Sequence, residues 1–313
     1  MNDTILIQSI AVAIVAGTPL VLAGTGEILA QRSGVLNLGV EGMMLMGAVT
    51  GFWATTETAS PWAGLTLAMA AGALTAMIHG VLAIGLRANQ IVCGIGLVIL
   101  GTGASRFIGD LGDNPVALRP GRGTFDPLLE GGLADLALVG PILFSHDAIV
   151  YLSWGFAAAA SAYTFRTRRG MELRAVGNNP AAADSAGINV ARTRFLHVAI
   201  GGAAAGAGGA YMTLALFNSW SAGITAGAGW LAVVLVIFAS WRPWRMLVAA
   251  YTLGAVSSLG FTFQLLGVGV PRELLSMLPF IATLLVLVVT SAAASGRSSA
   301  PSALAAPYFR ERR

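Results

Sequence analysis

Long apolar blocks separated by short polar breaks repeat along the whole chain. Nine of them, at residues 5–25, 36–54, 62–85, 91–107, 148–165, 195–217, 224–240, 246–266 and 276–293, come close to the roughly 20 residues that a helix needs to cross a bilayer. The pattern predicts an all-α fold: a polytopic transmembrane bundle of about nine spans, or eight to ten if some helices are broken. Residues 1–293 then form one transmembrane domain, with a long loop at 107–147 on one side, a loop at 166–194 on the other, and residues 294–313 as a tail. The stretch from Gly26 to Glu41 is the awkward one, because Glu27, Gln31, Arg32, Ser33, Asn37 and Glu41 interrupt it. It reads as a turn or a broken helix. In either case it lies beside something polar, since non-helical backbone at membrane depth is tolerated only within protein or along a wet cavity.

Composition strengthens this picture. Of 313 residues 56% are hydrophobic and 10% charged, against about 25% charged in a soluble domain. Cys93 is the only cysteine, which excludes a disulfide scaffold. All 18 basic residues are arginines and they are scattered along the chain, which excludes a nucleic-acid patch. Their distribution sets a direction. Arg32, Arg87, Arg166, Arg168, Arg169, Arg174, Arg192, Arg194, Arg242, Arg245, Arg297, Arg310, Arg312 and Arg313 fall on one side of the expected membrane, and only Arg106, Arg119, Arg122 and Arg272 on the other. The positive-inside rule makes the first side cytoplasmic. With no basic residue before Arg32, the N-terminus is expected outside and the C-terminus inside, and the missing basic n-region argues against a cleaved signal peptide. The outer loop at 107–147 carries Asp110, Asp113, Asp126, Glu130, Asp135 and Asp147.

Few residues offer chemistry. Glu41 is the one carboxylate placed inside a span, where a charge costs about 2.5–3.5 kcal/mol on insertion scales, and Asn37 is four residues earlier. At that spacing the two share a helical face, and they either line a path or tie helices together. Asn89 and Gln90 sit at the turn between the third and fourth blocks and read as a polar hairpin turn or as part of that path. Phe217 and Trp220 could stack on a flat ligand or anchor the chain at the interface, and Trp241, Trp244 and their arginine neighbours read as an interfacial anchor. His79, His146 and His197 have no partner at metal-ligand spacing, and Cys93 reads as a small buried hydrophobe. Gly202 and Gly206 have the small-xxx-small spacing of closely packed helices.

Within the 166–194 loop, Asn179 followed by Pro180 is an N-cap and a first-turn proline, and Gly187 is a helix stop. The segment between them encodes about two turns of helix, including Ala181, Ala182 and Asp184. It is too short to span and smooth enough to enter a partner's groove, although a plain capped loop has the same signature. No P-loop is present in a chain without lysine, and there is no H-E-x-x-H and no G-x-S-x-G, so catalysis has no positive sign.

Four stretches carry a resemblance. They run from Gly26 to Met44, from Ala88 to Gly94, from Glu172 to Val190, and from Gly227 to Pro243. Together they resemble the permease subunits of bacterial ABC importers for nucleosides and simple sugars, within the ribose and branched-chain amino acid permease superfamily. The one departure is Gln31, where an acidic residue is expected.

The resemblance implies a type II-like importer permease that pairs with a second, similar permease. It also implies a cytoplasmic ATPase with two nucleotide-binding domains, which binds the ATP and Mg2+, and a periplasmic or lipid-anchored substrate-binding protein. Asn179, Pro180, Ala181, Ala182, Asp184 and Gly187 then belong to the segment that couples permease to ATPase. The implied function is nucleoside import across a bacterial inner membrane, with no cofactor in this chain and Asn37, Glu41, Asn89, Gln90, Phe217 and Trp220 as path candidates. Import of a simple sugar such as ribose is the nearest alternative. A proton-coupled secondary transporter using Glu41 and an intramembrane enzyme stand further off.

Overall fold

A computed structural model describes residues 2–111, 115–119, 121, 123–129, 131–132, 136, 139–265, 271–293 and 299–310. Asp113, Arg122, Glu130, Asp135, Arg297, Arg312 and Arg313 lie outside the described residues. Helices dominate: α1 (Asn2–Arg32), α2 (Val40–Thr58), α3 (Pro61–Gly80), α4 (Gln90–Gly109), α5 (Ala148–Arg166), α6 (Arg168–Asn178), α7 (Pro180–Ser185), α8 (Val190–Tyr211), α9 (Ala228–Phe238), α10 (Pro243–Leu265) and α11 (Arg272–Ala293). Each apolar block holds a helix, and α3 and α8 are lengthened by single π-helical turns at Val81–Gly85 and Met212–Leu216.

Glycine sets the packing. With no hydrophobic drive between helices in lipid, close backbone approach is what holds a bundle together. A Cβ on Gly206 would lie 2.2 Å from the Ala68 carbonyl oxygen, one on Gly202 2.2 Å from the Ala76 Cβ, and one on Gly209 1.9 Å from the Met44 carbonyl oxygen. The glycine run of α8 is therefore where α2 and α3 press against it, and Gly201 meets Gly26 of α1 in the same way. Helix α8 is the hub. Helix α10 lies antiparallel along α1, with Gly17 against Ala250 and Gly24 against Met246.

Three expectations are corrected. The first apolar block does not stop at residue 25, because α1 stays helical through Arg32. The polar residues from Glu27 to Arg32 are tolerated there because they face other protein segments rather than lipid. The 166–194 loop is mostly helical: α6 fills its first part, α7 its middle, and α8 already begins at Val190. The block at 224–240 is no continuous span, since residues 217–227 are irregular and α9 has only 11 residues, about 16 Å of helix at 1.5 Å per residue.

The bundle has two distinct ends. One gathers the C-terminus of α1, the α3–α4 turn at Arg87, α6, α7, the start of α8 and residues 299–310. At the other, Arg119 pairs with Glu57, and Trp62 meets Phe125 edge to face at 5.2 Å.

Candidate functional site

Among the described residues, the buried acidic, amide and arginine side chains collect around two stretches of backbone that leave helical geometry. The first is the connection between α1 and α2, residues 33–39. Its amides and carbonyls need partners, because an unmet buried backbone group costs about 1–3 kcal/mol. Glu27 Oε1 accepts the Asn37 N–H at 3.2 Å, and Gln90 Oε1 accepts the Leu36 N–H at 2.7 Å. Asn37 Oδ1 accepts the Gly39 N–H at 2.9 Å, and His79 Nε2 donates to the Leu36 carbonyl at 3.1 Å. The Arg194 Nε–H donates to the Ser33 carbonyl at 3.2 Å. Helices α1, α3, α4 and α8 thus each supply a side chain to one short connection.

The second stretch is residues 217–227, which lead into α9. Gly227 stands at the N-cap of α9 with φ of +87°, a conformation suited to glycine, and has no side chain with which to cap. Glu41, in the first turn of α2, reaches across to do so. Its Oε1 accepts the Thr225 hydroxyl at 2.6 Å and the Gly227 N–H at 3.0 Å, and its Oε2 accepts the Gly229 N–H at 2.7 Å. A carboxylate is the natural occupant of this position: the first amides of a helix lack intrahelical partners and its N-terminus carries partial positive charge. The contact requires glycine at 229, where a Cβ would lie 2.5 Å from the backbone nitrogen of Glu41.

A further network ties the end of α1 to the turn that follows α9. Glu27 Oε1 also accepts the Gln31 Nε2–H at 2.8 Å, Gln31 Oε1 accepts the Trp241 indole N–H at 2.7 Å, and Arg32 donates to the Trp241 carbonyl at 2.9 and 3.1 Å. Gln31 works here as donor on one side and acceptor on the other, a dual role open to an amide and closed to an ionised carboxylate. This accounts for glutamine at a position where an acid is expected.

The sequence-derived candidates divide accordingly. Asn37 and Glu41 do not share a helical face, because α2 begins at Val40 and Asn37 belongs to the connection before it. Glu41 is also not the one buried carboxylate, since Glu27 is 1% exposed within α1. Gln90 joins Asn37 at the connection, whereas Asn89 is exposed and caps α4, accepting the Ile91 and Val92 amides at 3.0 and 3.2 Å. Phe217 is half exposed, and Trp220 is buried against Gly109 at the opposite end of α4. Trp241 is buried and bonded to Gln31, so it is no interfacial anchor, although Trp244 is exposed. Glu27, Gln31, His79, Thr225 and Trp241 are not among the sequence-derived path candidates, although Glu27 and Gln31 stand out as polar residues in an apolar stretch. The four-residue spacing of Glu27 and Gln31 was the available signal, hidden by ending the first span at residue 25.

At the arginine-rich end, α7 is built as its sequence demands. Asn179 Oδ1 accepts the Ala182 N–H at 3.0 Å, Pro180 opens the helix, and Gly187 ends it with φ of +84°. Ala183 is buried between Val176 and Val190, while Ala181, Ala182 and Gly187 face outward. Asp184 pairs with Arg310 at 3.1 Å.

A helical bundle with apolar helices long enough to cross a bilayer, two irregular segments tied down by side chains of other helices, and a small exposed helix at one end is the architecture of a multi-pass membrane protein. The chain belongs to the branched-chain amino acid transport system permease component family, which matches residues 9–287. It is 38% identical to a candidate glucose ABC transporter permease protein of Haloferax volcanii, TsgC13, over 95% of each chain. It is 34% identical to the guanosine ABC transporter permease protein NupQ of Bacillus subtilis, over 99% of this chain and all of that one, and 29% identical to the nucleoside ABC transporter permease protein NupC of Lactococcus lactis, over 97% of each. The fold is similar to a solved inward-facing structure of a candidate metal-chelate type ABC transporter, with a TM-score of 0.53 at 16% identity over 90% of this chain and 85% of that one. It is an ABC transporter permease component.

Proposed function

We propose that this chain forms, with a second homologous permease, the path of an ABC importer for nucleosides in a bacterial inner membrane. Its end-to-end similarity to two nucleoside permeases carries this reading. The arginine-rich end faces the cytoplasm, as the positive-inside rule requires, and a substrate-binding protein docks on the opposite end. A separate ATPase with two nucleotide-binding domains binds ATP and Mg2+ and pushes on the exposed face of α7, around Asn179, Pro180, Ala181, Ala182, Asp184 and Gly187. This chain has no cofactor or catalytic role of its own.

Asn37, Glu41 and Gln90 act as positioning residues. They hold the broken crossings at 33–39 and 217–227, where the bundle has the fewest regular hydrogen bonds and where a shift between outward and inward states costs least. A ligand drives that shift only through unequal affinity for the two states. Phe217, half exposed at the end opposite the arginine-rich one, is where a base would first stack, while Trp220 is buried against Gly109 and only supports that end.

The test is uptake of labelled guanosine by cells expressing the chain with its genomic neighbours. ATP-dependent uptake that unlabelled guanosine competes and unlabelled glucose does not is expected. The 38% relative supports a second reading, sugar import, and competition by glucose alone would install it. Uptake that survives ATP depletion would overturn both readings in favour of a secondary transporter.

A further inference from the structure

Residues 299–310 return to the bundle and contact five separate elements of its arginine-rich end. The Ala303 N–H donates to the Gly177 carbonyl at the end of α6 at 2.9 Å, and the Ser302 N–H donates to Asn178 Oδ1 at 3.3 Å. The Ala305 N–H donates to the Gly34 carbonyl in the α1–α2 connection at 3.2 Å, and Arg194 of α8 donates to the Ala306 carbonyl at 3.5 Å. Further along, Tyr308 packs on the Val176, Ala183 and Val190 cluster that seats α7, Phe309 lies under the Arg87 guanidinium at 4.7 Å, and Arg310 pairs with Asp184 of α7. Pro301 is buried, and Ala300 and Leu304 pack against the main core.

We infer that residues 299–310 form a strap that carries displacement of α7 to the α1–α2 connection at Gly34 and to the turn at Arg87. Helix α7 has little purchase of its own on the bundle, since Ala183 is its one buried residue. The strap supplies two further contacts, through Tyr308 and Arg310. The same twelve residues hydrogen-bond the connection that Glu27, Asn37 and Gln90 hold on its other side. A push on α7 therefore has a bonded route to the foot of α2 that does not pass through α8.

The strap is no plug over the coupling surface. It lies on the Ala183 and Asp184 side of α7 and leaves Ala181, Ala182 and Ser185 exposed to a partner. A cavity of about 410 Å3 lined by Arg87, Arg194 and Tyr308 gives α7 room to move toward the α3–α4 turn with the strap in place.

This inference rests on the permease reading for its transport readout, and a crosslink tests the strap without it. In a Cys93→Ser chain, the pair Asn178→Cys and Ser302→Cys in native membranes is expected to form a disulfide, and failure to crosslink would overturn the strap even in a chain that imports guanosine. In the assembled importer the locked pair is expected to keep at least half of wild-type guanosine uptake, because strap and α6 move together. Loss of transport on locking would show that the strap must detach, and would overturn the inference.

Ending the chain after Ser298 is expected to lower guanosine imported per ATP hydrolysed about tenfold, with the amount of co-purifying ATPase unchanged. If the truncated chain fails to reach the membrane, charge reversal decides. Arg310→Asp should lower the same ratio about threefold, and Arg310→Lys, which keeps a positive charge facing Asp184, should hold it within twofold of wild type. An unchanged ratio in Arg310→Asp would overturn the strap. Crosslinking of the double-cysteine chain together with no guanosine import by the wild-type chain refutes the substrate reading and leaves the strap standing.

Discussion

Glu41 directs both carboxylate oxygens to another helix, where three donors meet them at 2.6–3.0 Å. Hydrogen bonds to a charged group contribute about 1.5–3 kcal/mol each, and a buried donor left unmet costs a comparable amount. Glu41→Gln turns one acceptor into a donor facing Thr225 or the α9 amides. It is expected to lower stability by about 2 kcal/mol and guanosine uptake at least tenfold, read by thermal unfolding in detergent and by uptake. Thr225→Val removes one hydroxyl and should cost about 1 kcal/mol.

Glu27 and Gln31 supply a sharper test, because one oxygen of Glu27 accepts the Gln31 amide at 2.8 Å. Gln31→Glu sets two carboxylates side by side and is expected to destabilise the chain by about 2–3 kcal/mol, since a buried charge without its partner is costly. The double change Glu27→Gln with Gln31→Glu restores an amide beside a carboxylate and should recover more than half of that loss in the same unfolding assay. No recovery would mean that position 27 must be acidic for a reason other than this bond.

At the level of elements, α8 and α7 behave in opposite ways. Helix α8 is legible as a packing helix from its glycine spacing, and the structure puts Gly202, Gly206 and Gly209 against backbone of α2 and α3. Gly206→Leu is expected to prevent stable insertion, seen as loss of full-length protein in the membrane fraction, because the Ala68 carbonyl lies where the new side chain would begin. Helix α7 is legible from its caps alone, Asn179 before and Gly187 after, since capping is local chemistry between residues two to four apart. Ala182→Trp with Asp184→Arg should leave the bundle folded and sharply reduce the co-purifying ATPase.

Helix α9 is the opposite case. Its 11 apolar residues read as half of an ordinary span, and only Glu41, 188 positions from Gly229, shows why a helix can begin there. Its start is a tertiary decision.

Across the whole molecule, three of the meetings between residues far apart in sequence tie its beginning to its end: Glu41 with the start of α9, Gln31 with Trp241, and Gly34 with Ala305. Each meeting joins a segment near the start of the chain to one in its last third. The apolar blocks, their helicity, the arginine asymmetry and the caps of α7 are set by the sequence alone, because they depend on hydrophobic length, the number of basic residues in short loops and neighbouring side chains. The helical state of Gly26–Arg32, the break at 217–227, the inward turn of Trp241 and the docking of residues 299–310 were decided by tertiary structure. The reason is the same in each. A buried polar group is stable only where a partner meets it, and apart from the short-range bonds of Glu27 to Gln31 and Asn37 these partners lie more than a hundred residues away in the chain, beyond the reach of any local pattern.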